Sequence, residues 1–107
     1  ADMKARRDYV YIKDVVSAFI AAVEKDIDAG LSVFNICSGK NDSAKDIVSE
    51  ISKIEKFPIK IKVNPDLTRK DEKDIEYGSH KKARKILGWR PEYSFKKGLE
   101  ETIQLAK

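Results

Sequence analysis

Hydrophobic and polar positions along the chain follow two periods that alternate several times. Residues 8–12, Asp-Tyr-Val-Tyr-Ile, are rich in aromatic and β-branched side chains, which suit a half-buried pleated surface and predict a strand. From Asp14 the period lengthens. Val16, Phe19, Ile20, Val23 and Ile27 fall at offsets of 3, 4, 7 and 11, one face of a helix. A helix is expected from about Val15 to Asp26, capped by Asp14, with Gly30 ending the connection. Val33-Phe34-Asn35-Ile36 predicts a second short strand, and Ser38-Gly39-Lys40-Asn41-Asp42 a turn. Ser43 then caps a helix, with Asp46 in the capping-box position and Ile47, Ile51 and Ile54 as its buried stripe. Pro58 opens a third strand in which Ile59, Ile61 and Val63 alternate with Lys60 and Lys62, one face dry and one wet.

Residues 64–76 are polar and without periodicity, which describes a loop, ending in a very short strand at Ile75-Glu76-Tyr77. Ser79 is placed to cap a helix that turns Ala83, Ile86 and Leu87 inward. Gly88 suits its left-handed stop, and Trp89 the apolar residue that folds back. Pro91 and Ser94 set up a last helix with Phe95, Leu99, Ile103 and Ala106 on one face. The expectation is a mixed α/β fold, about four helices and three or four short strands in a single domain over residues 1–107.

Composition narrows this picture. With 107 residues, 41% hydrophobic and 37% charged, the chain is long enough for one core but short for an enzyme with separate cofactor and substrate lobes. No apolar run approaches the roughly 18–20 residues of a membrane span, and no basic-then-apolar leader opens the chain, so a cytoplasmic location is expected. A single cysteine, Cys37, and a single histidine, His80, leave no intrachain disulfide and no cysteine or histidine metal cluster. The net charge of +4 is carried by the second half: residues 1–63 hold 11 basic and 10 acidic groups, residues 64–107 hold 11 and 8. Lysine outnumbers arginine 17 to 5. Lysine is a strongly hydrated point charge, so most of this excess reads as solvated surface.

Three Tyr-x-x-x-Lys pairs, Tyr9/Lys13, Tyr77/Lys81 and Tyr93/Lys97, have the spacing at which a lysine can tune a tyrosine for proton transfer. That requires a helix, where four residues span about 5–6 Å. On the strand predicted at residues 8–12 the same four residues span roughly 13 Å, so Tyr9/Lys13 is not read as catalytic. Tyr77 and Tyr93 precede helix starts and share no helical face with their lysines. No catalytic residues are assigned. The five glycines are never closer than nine residues apart, so no dinucleotide-binding fingerprint exists. Ser38-Gly39-Lys40 is too short for a phosphate loop, and Cys37 reads as a small packed residue.

Three stretches taken together are more specific. Arg7-Asp8-Tyr9-Val10-Tyr11-Ile12-x-Asp14-Val15, Phe34-Asn35-Ile36-x-Ser38-Gly39-x-x-x-Ser43 and Lys82-Ala83-x-x-x-Leu87-Gly88-Trp89-x-Pro91 occur in this order. They resemble the C-terminal portion of the extended short-chain dehydrogenase/reductases that act on nucleotide sugars, the epimerase/dehydratase family. The resemblance runs from about Arg6 to Leu105. Asn64-Pro65, Arg69-x-x-Glu72 and Tyr77-Gly78 look most like GDP-mannose 4,6-dehydratases, with Lys70 where that group usually has proline and Ser79 where it has aspartate.

The resemblance implies a nucleotide-diphosphate sugar as partner. It gives Arg7 and Arg69 the diphosphate and Glu72 the ribose. The chemistry agrees, since a guanidinium holds phosphate oxygens with paired hydrogen bonds and a carboxylate accepts from hydroxyls. Local pairing is the plain alternative, Arg7 with Asp8 or Asp14 and Arg69 with Glu72. The resemblance further implies that the NAD or NADP of the parent enzyme is held by a Rossmann lobe preceding this chain. On that reading the chain is the substrate-binding portion of a dehydratase or epimerase, inactive alone, from a homo-oligomeric parent; neither nucleic acid nor membrane is an expected partner. The competing readings are a stand-alone basic module using Lys81, Lys82, Arg84, Lys85 and Arg90 against nucleic acid, and a protein-interaction domain.

Overall fold

The computed structural model describes residues 5–25, 30–60, 62 and 75–107. Among them the chain forms a two-stranded sheet and four helices, a mixed α/β arrangement: β1 (Arg6–Arg7), α1 (Ile12–Glu24), β2 (Asp42–Ser43), α2 (Ala44–Glu55), α3 (Lys81–Leu87) and α4 (Phe95–Ala106). β1 and β2 pair antiparallel, Arg6 opposite Ser43 and Arg7 opposite Asp42. On its other side β1 takes a parallel bridge from Ile75, with the Glu76 N–H donating to the Arg6 carbonyl at 2.9 Å. β1 is therefore the middle of three chain segments, although it is only two residues long.

Helix ends form where local chemistry supplies partners for the orphan backbone groups. Ser43 makes the predicted capping box: its Oγ accepts from the Asp46 N–H at 3.1 Å, and the Asp46 carboxylate accepts from the Ser43 N–H at 3.0 Å. Ser94 Oγ accepts from the Lys97 N–H at 3.1 Å and starts α4. At the end of α3, Gly88 takes φ 68° in the left-handed region expected of a glycine stop, and the Trp89 N–H reaches back to the Ala83 carbonyl at 3.2 Å. Ser79 does not cap α3 as expected. His80 stands at the N-cap position without a side-chain cap bond, and Ser79 Oγ accepts from the Lys81 N–H at 3.4 Å.

The first helix departs most from expectation. It begins at Ile12 behind Tyr11, so residues 8–11 are not a strand and Asp14 lies in the first turn. The carboxylate expected to cap α1 serves distant amides instead. The core consists of Ala18, Ala83, Leu87 and Trp89, with Ala21, Phe34 and Ile36 packed against it. α1 thus turns its alanine side inward, where the small side chain lets α3 approach. The apolar face of α1 is exposed, as expected if it packs on a lobe outside this chain: Val16 is 48%, Phe19 70% and Val23 85% accessible. Ile86 also faces solvent, at 38%. Ile27 of that predicted face, and Ile61 and Val63 of the predicted third strand, lie outside the described residues. Residues 33–36 and 58–60 are irregular rather than paired strands.

Candidate functional site

Arg7, Asp8, the turn at Ser38-Gly39 and the segment Ile75–Gly78 converge at one corner of the fold. β1 carries Arg7 and is followed at once by Asp8, and the bridge to Ile75 brings the last alongside. Arg7 is half-buried. Its Nη1 donates to the Arg6 carbonyl at 2.8 Å, and its Nε lies 3.6 Å from Glu76 Oε2. Arg6 turns the other way, donating to Asn41 Oδ1 at 2.6 Å and pairing with Asp46 at 3.3 Å. The two adjacent arginines are thus divided between the α2 start and the returning chain.

Asp8 ties this corner together. One carboxylate oxygen accepts from the Ser38 N–H at 2.8 Å and from Ser38 Oγ at 2.6 Å; the other accepts from the Gly39 N–H at 2.8 Å and the Gly78 N–H at 3.3 Å. Burial alone would push this carboxyl up, but the four hydrogen bonds outweigh it and hold Asp8 below its ordinary 3.8. The packing leaves little slack. Gly39 adopts φ 81°, and a methyl group on Gly78 would meet Cys37 Sγ at 2.9 Å. Burial, with the Asp8 charge beside it, raises the Cys37 thiol.

A second aspartate of the same stretch does comparable work elsewhere. Asp14 is 2% accessible, and its oxygens accept from the Glu92 N–H at 3.0 Å and the Tyr93 N–H at 3.1 Å. The Trp89 indole N–H donates to the Asp14 carbonyl and to Ser17 Oγ, both at 2.9 Å, while its ring takes the His80 edge at 5.8 Å. Nearby, an open cleft of about 430 Å³ is lined in part by Tyr9, Tyr11, Tyr93 and Phe95. The Tyr9/Lys13 spacing has no catalytic geometry: Lys13 lies in α1 and pairs with Glu101 at 3.2 Å.

Of the three site residues expected from sequence, Arg7 stands in this corner, while Arg69 and Glu72 lie outside the described residues. The local pairing weighed for Arg7 does not account for the two aspartates, whose oxygens go to backbone amides. Sequence reasoning missed Asp8, Ser38 and Gly78 as one cluster because their separations of 30 and 70 residues leave no local pattern.

Residues 1–102 match the family model described as GDP-mannose 4,6 dehydratase. The bifunctional UDP-glucose 4-epimerase and UDP-xylose 4-epimerase 3 of Arabidopsis thaliana is 33% identical over 95 residues, 86% of this chain and 26% of that protein. The chain belongs to the nucleotide-sugar epimerase/dehydratase family of extended short-chain dehydrogenase/reductases. Solved members of this family share the fold. The UDP-glucose 4-epimerase of Thermotoga maritima, crystallised with UDP-glucose, gives a TM-score of 0.83 at 31% identity, covering 97% of this chain and 32% of that one. RMD from Pseudomonas aeruginosa, complexed with NADPH, gives 0.82 at 27% identity, covering 96% and 33%. The chain spans about a quarter of the length of the curated relatives it matches.

Within the epimerase/dehydratase family frame, the three stretches of the resemblance are joined by the two aspartates. Asp8 links the first to Ser38 and Gly39 of the second, and Asp14 links the first to Trp89 of the third and to Glu92 and Tyr93 just after it. The dinucleotide this family implies does not fit the described residues. The backbone N–H groups that converge here, those of Ser38, Gly39 and Gly78, are taken by Asp8, and none opens a glycine-rich phosphate loop. Among the described residues there is no group of three or more His, Cys, Asp or Glu that could hold a metal ion, and no helix long and apolar enough to cross a membrane.

Proposed function

We propose that this chain supplies the nucleotide-sugar-binding portion of an NAD(P)-dependent sugar-nucleotide dehydratase or epimerase, with the cofactor held by a separate Rossmann lobe. Arg7 and Arg69 would hold the diphosphate and Glu72 the ribose, for an NDP-hexose of the GDP-mannose or UDP-glucose kind. One observation carries this reading. The chain returns to β1 at Ile75, three residues beyond Glu72, and its Glu76 reaches the Arg7 guanidinium, so the stretch bearing Arg69 and Glu72 ends beside Arg7. A carboxylate at that guanidinium is a fair stand-in for the oxyanion it would bind, since both match the planar fork. Holding remote parts of a substrate supplies the orientation that the reacting carbon needs.

The exposed apolar face of α1 supports the second half of the proposal, a lobe for this portion to pack against. The relatives' greater length would accommodate such a lobe. The test of the assignment is Arg69→Ala in the full-length protein. Nucleotide-sugar affinity should fall about 10- to 100-fold, the loss expected for a charge-assisted hydrogen-bond pair, with the melting temperature unchanged. Unaltered affinity would sink the assignment.

A nucleic-acid role remains as a second reading because Lys81, Lys82, Arg84, Lys85 and Arg90 are all solvent-exposed. Lys82 lies over the Phe34 ring at 5.0 Å, part of the packing between α3 and the Phe34 segment.

A further inference from the structure

Four hydrogen-bond donors converge on one point: the N–H groups of Ser38, Gly39 and Gly78 and the Ser38 hydroxyl. Successive backbone N–H groups gathered in a turn make a concavity that binds anions. Here the anion is built in, because Asp8 fills the concavity with its own carboxylate. Its neighbour in sequence is Arg7, whose guanidinium faces Glu76, two residues before Gly78. The Asp8 carboxylate thus fastens both the Ser38-Gly39 turn and the Gly78 end of the segment that carries Glu76. Gly78 lies two residues beyond Glu76, whose carboxylate stands 3.6 Å from the Arg7 guanidinium. The Asp8 oxygens also fill the four-donor concavity, so no other anion takes those donors.

We propose that Asp8 is a positioning residue for Arg7: it occupies an anion-binding nest with an internal carboxylate, and so fixes the guanidinium against the Ile75–Gly78 segment. The inference rests on the reading of Arg7 as a diphosphate ligand. A merely structural aspartate would affect folding and leave Arg7 no special part in the outcome. A positioning aspartate acts through Arg7, and its effect must vanish when Arg7 is gone.

The experiment is a double-mutant cycle on the full-length protein, reading UDP-glucose and GDP-mannose affinity by calorimetry for the wild type, Asp8→Asn, Arg7→Ala and the pair. Asn keeps the size of Asp but turns an amide N–H₂ toward backbone donors. Asp8→Asn should weaken binding about tenfold, equivalent to roughly 1.4 kcal/mol, and should add little once Arg7→Ala is present. Asp8→Gly empties the nest, and formate at tens of millimolar should restore part of the lost affinity. Full additivity of the two substitutions, or undiminished binding by Asp8→Asn, overturns the positioning role while leaving the diphosphate reading intact. Undiminished binding by Arg7→Ala, or absence of binding by the wild type, overturns the diphosphate reading and this inference with it. Should Asp8→Asn fail to fold, Ser38→Ala, which removes one donor from the same nest, must show the same dependence on Arg7; an effect indifferent to Arg7 counts against the proposal.

Discussion

Asp8 and Asp14 lie six residues apart in one short stretch, and neither pairs with a cation among the contacts described above. Each instead accepts backbone N–H groups from far along the chain, Asp8 at the Ser38-Gly39 turn and Gly78, Asp14 at Glu92 and Tyr93. Asp14 is itself buried, and removing its carboxylate leaves two part-buried amides without acceptors, which costs more than the hydrogen bonds alone. Asp14→Ala should therefore destabilise the fold by about 2–4 kcal/mol in chemical denaturation, the cost of two amides left without acceptors. A loss below about 0.5 kcal/mol, typical of an exposed substitution, would show that water replaces the carboxylate there. Neither role is legible in the sequence, since an aspartate in a strand-to-helix transition looks like an ordinary cap. Arg7 stands out in the sequence because its place in the Arg-Asp-aromatic stretch is a local pattern, and its diphosphate role is a proposal.

At the scale of elements, what could be read was what is decided within four residues. The Ser43/Asp46 capping box, the Ser94 cap and the Gly88 stop all formed as expected, because donor and acceptor are near neighbours in sequence. The start of α1 was misplaced because Asp14 is drawn to amides 78 and 79 residues away, and Tyr11 is left at the helix edge. The strand expected at Val33–Ile36 needs a neighbour to pair with, and periodicity cannot supply one. Its burial still alternates, with Phe34 and Ile36 turned to the core and Val33 and Asn35 to solvent. The helical period of α1 was correctly read, but the face it defines points away from the core of this chain. An unpartnered stripe of Val16, Phe19 and Val23 should make the chain alone self-associate, measured by sedimentation, with Phe19→Ser shifting it toward monomer. A wild-type chain that sediments as a monomer and melts sharply would contradict a covered α1 face.

For the whole molecule, family membership and fold agree while substrate identity stays a proposal. The family model carries the name of a GDP-mannose dehydratase, and the relatives reported above are named for UDP-sugars. The common element is a nucleotide diphosphate, which explains why a single arginine beside a returning acidic segment is the feature to test. Calorimetric titration of the protein with UDP-glucose, GDP-mannose and a short DNA duplex, each at low and moderate salt, puts the question to the whole site at once. The account predicts saturable one-to-one binding of at least one sugar nucleotide, lost in Arg7→Ala, with no tight DNA binding. Failure to bind either sugar nucleotide, together with DNA binding that falls steeply as salt rises in the manner of phosphate-backbone contacts, would contradict it.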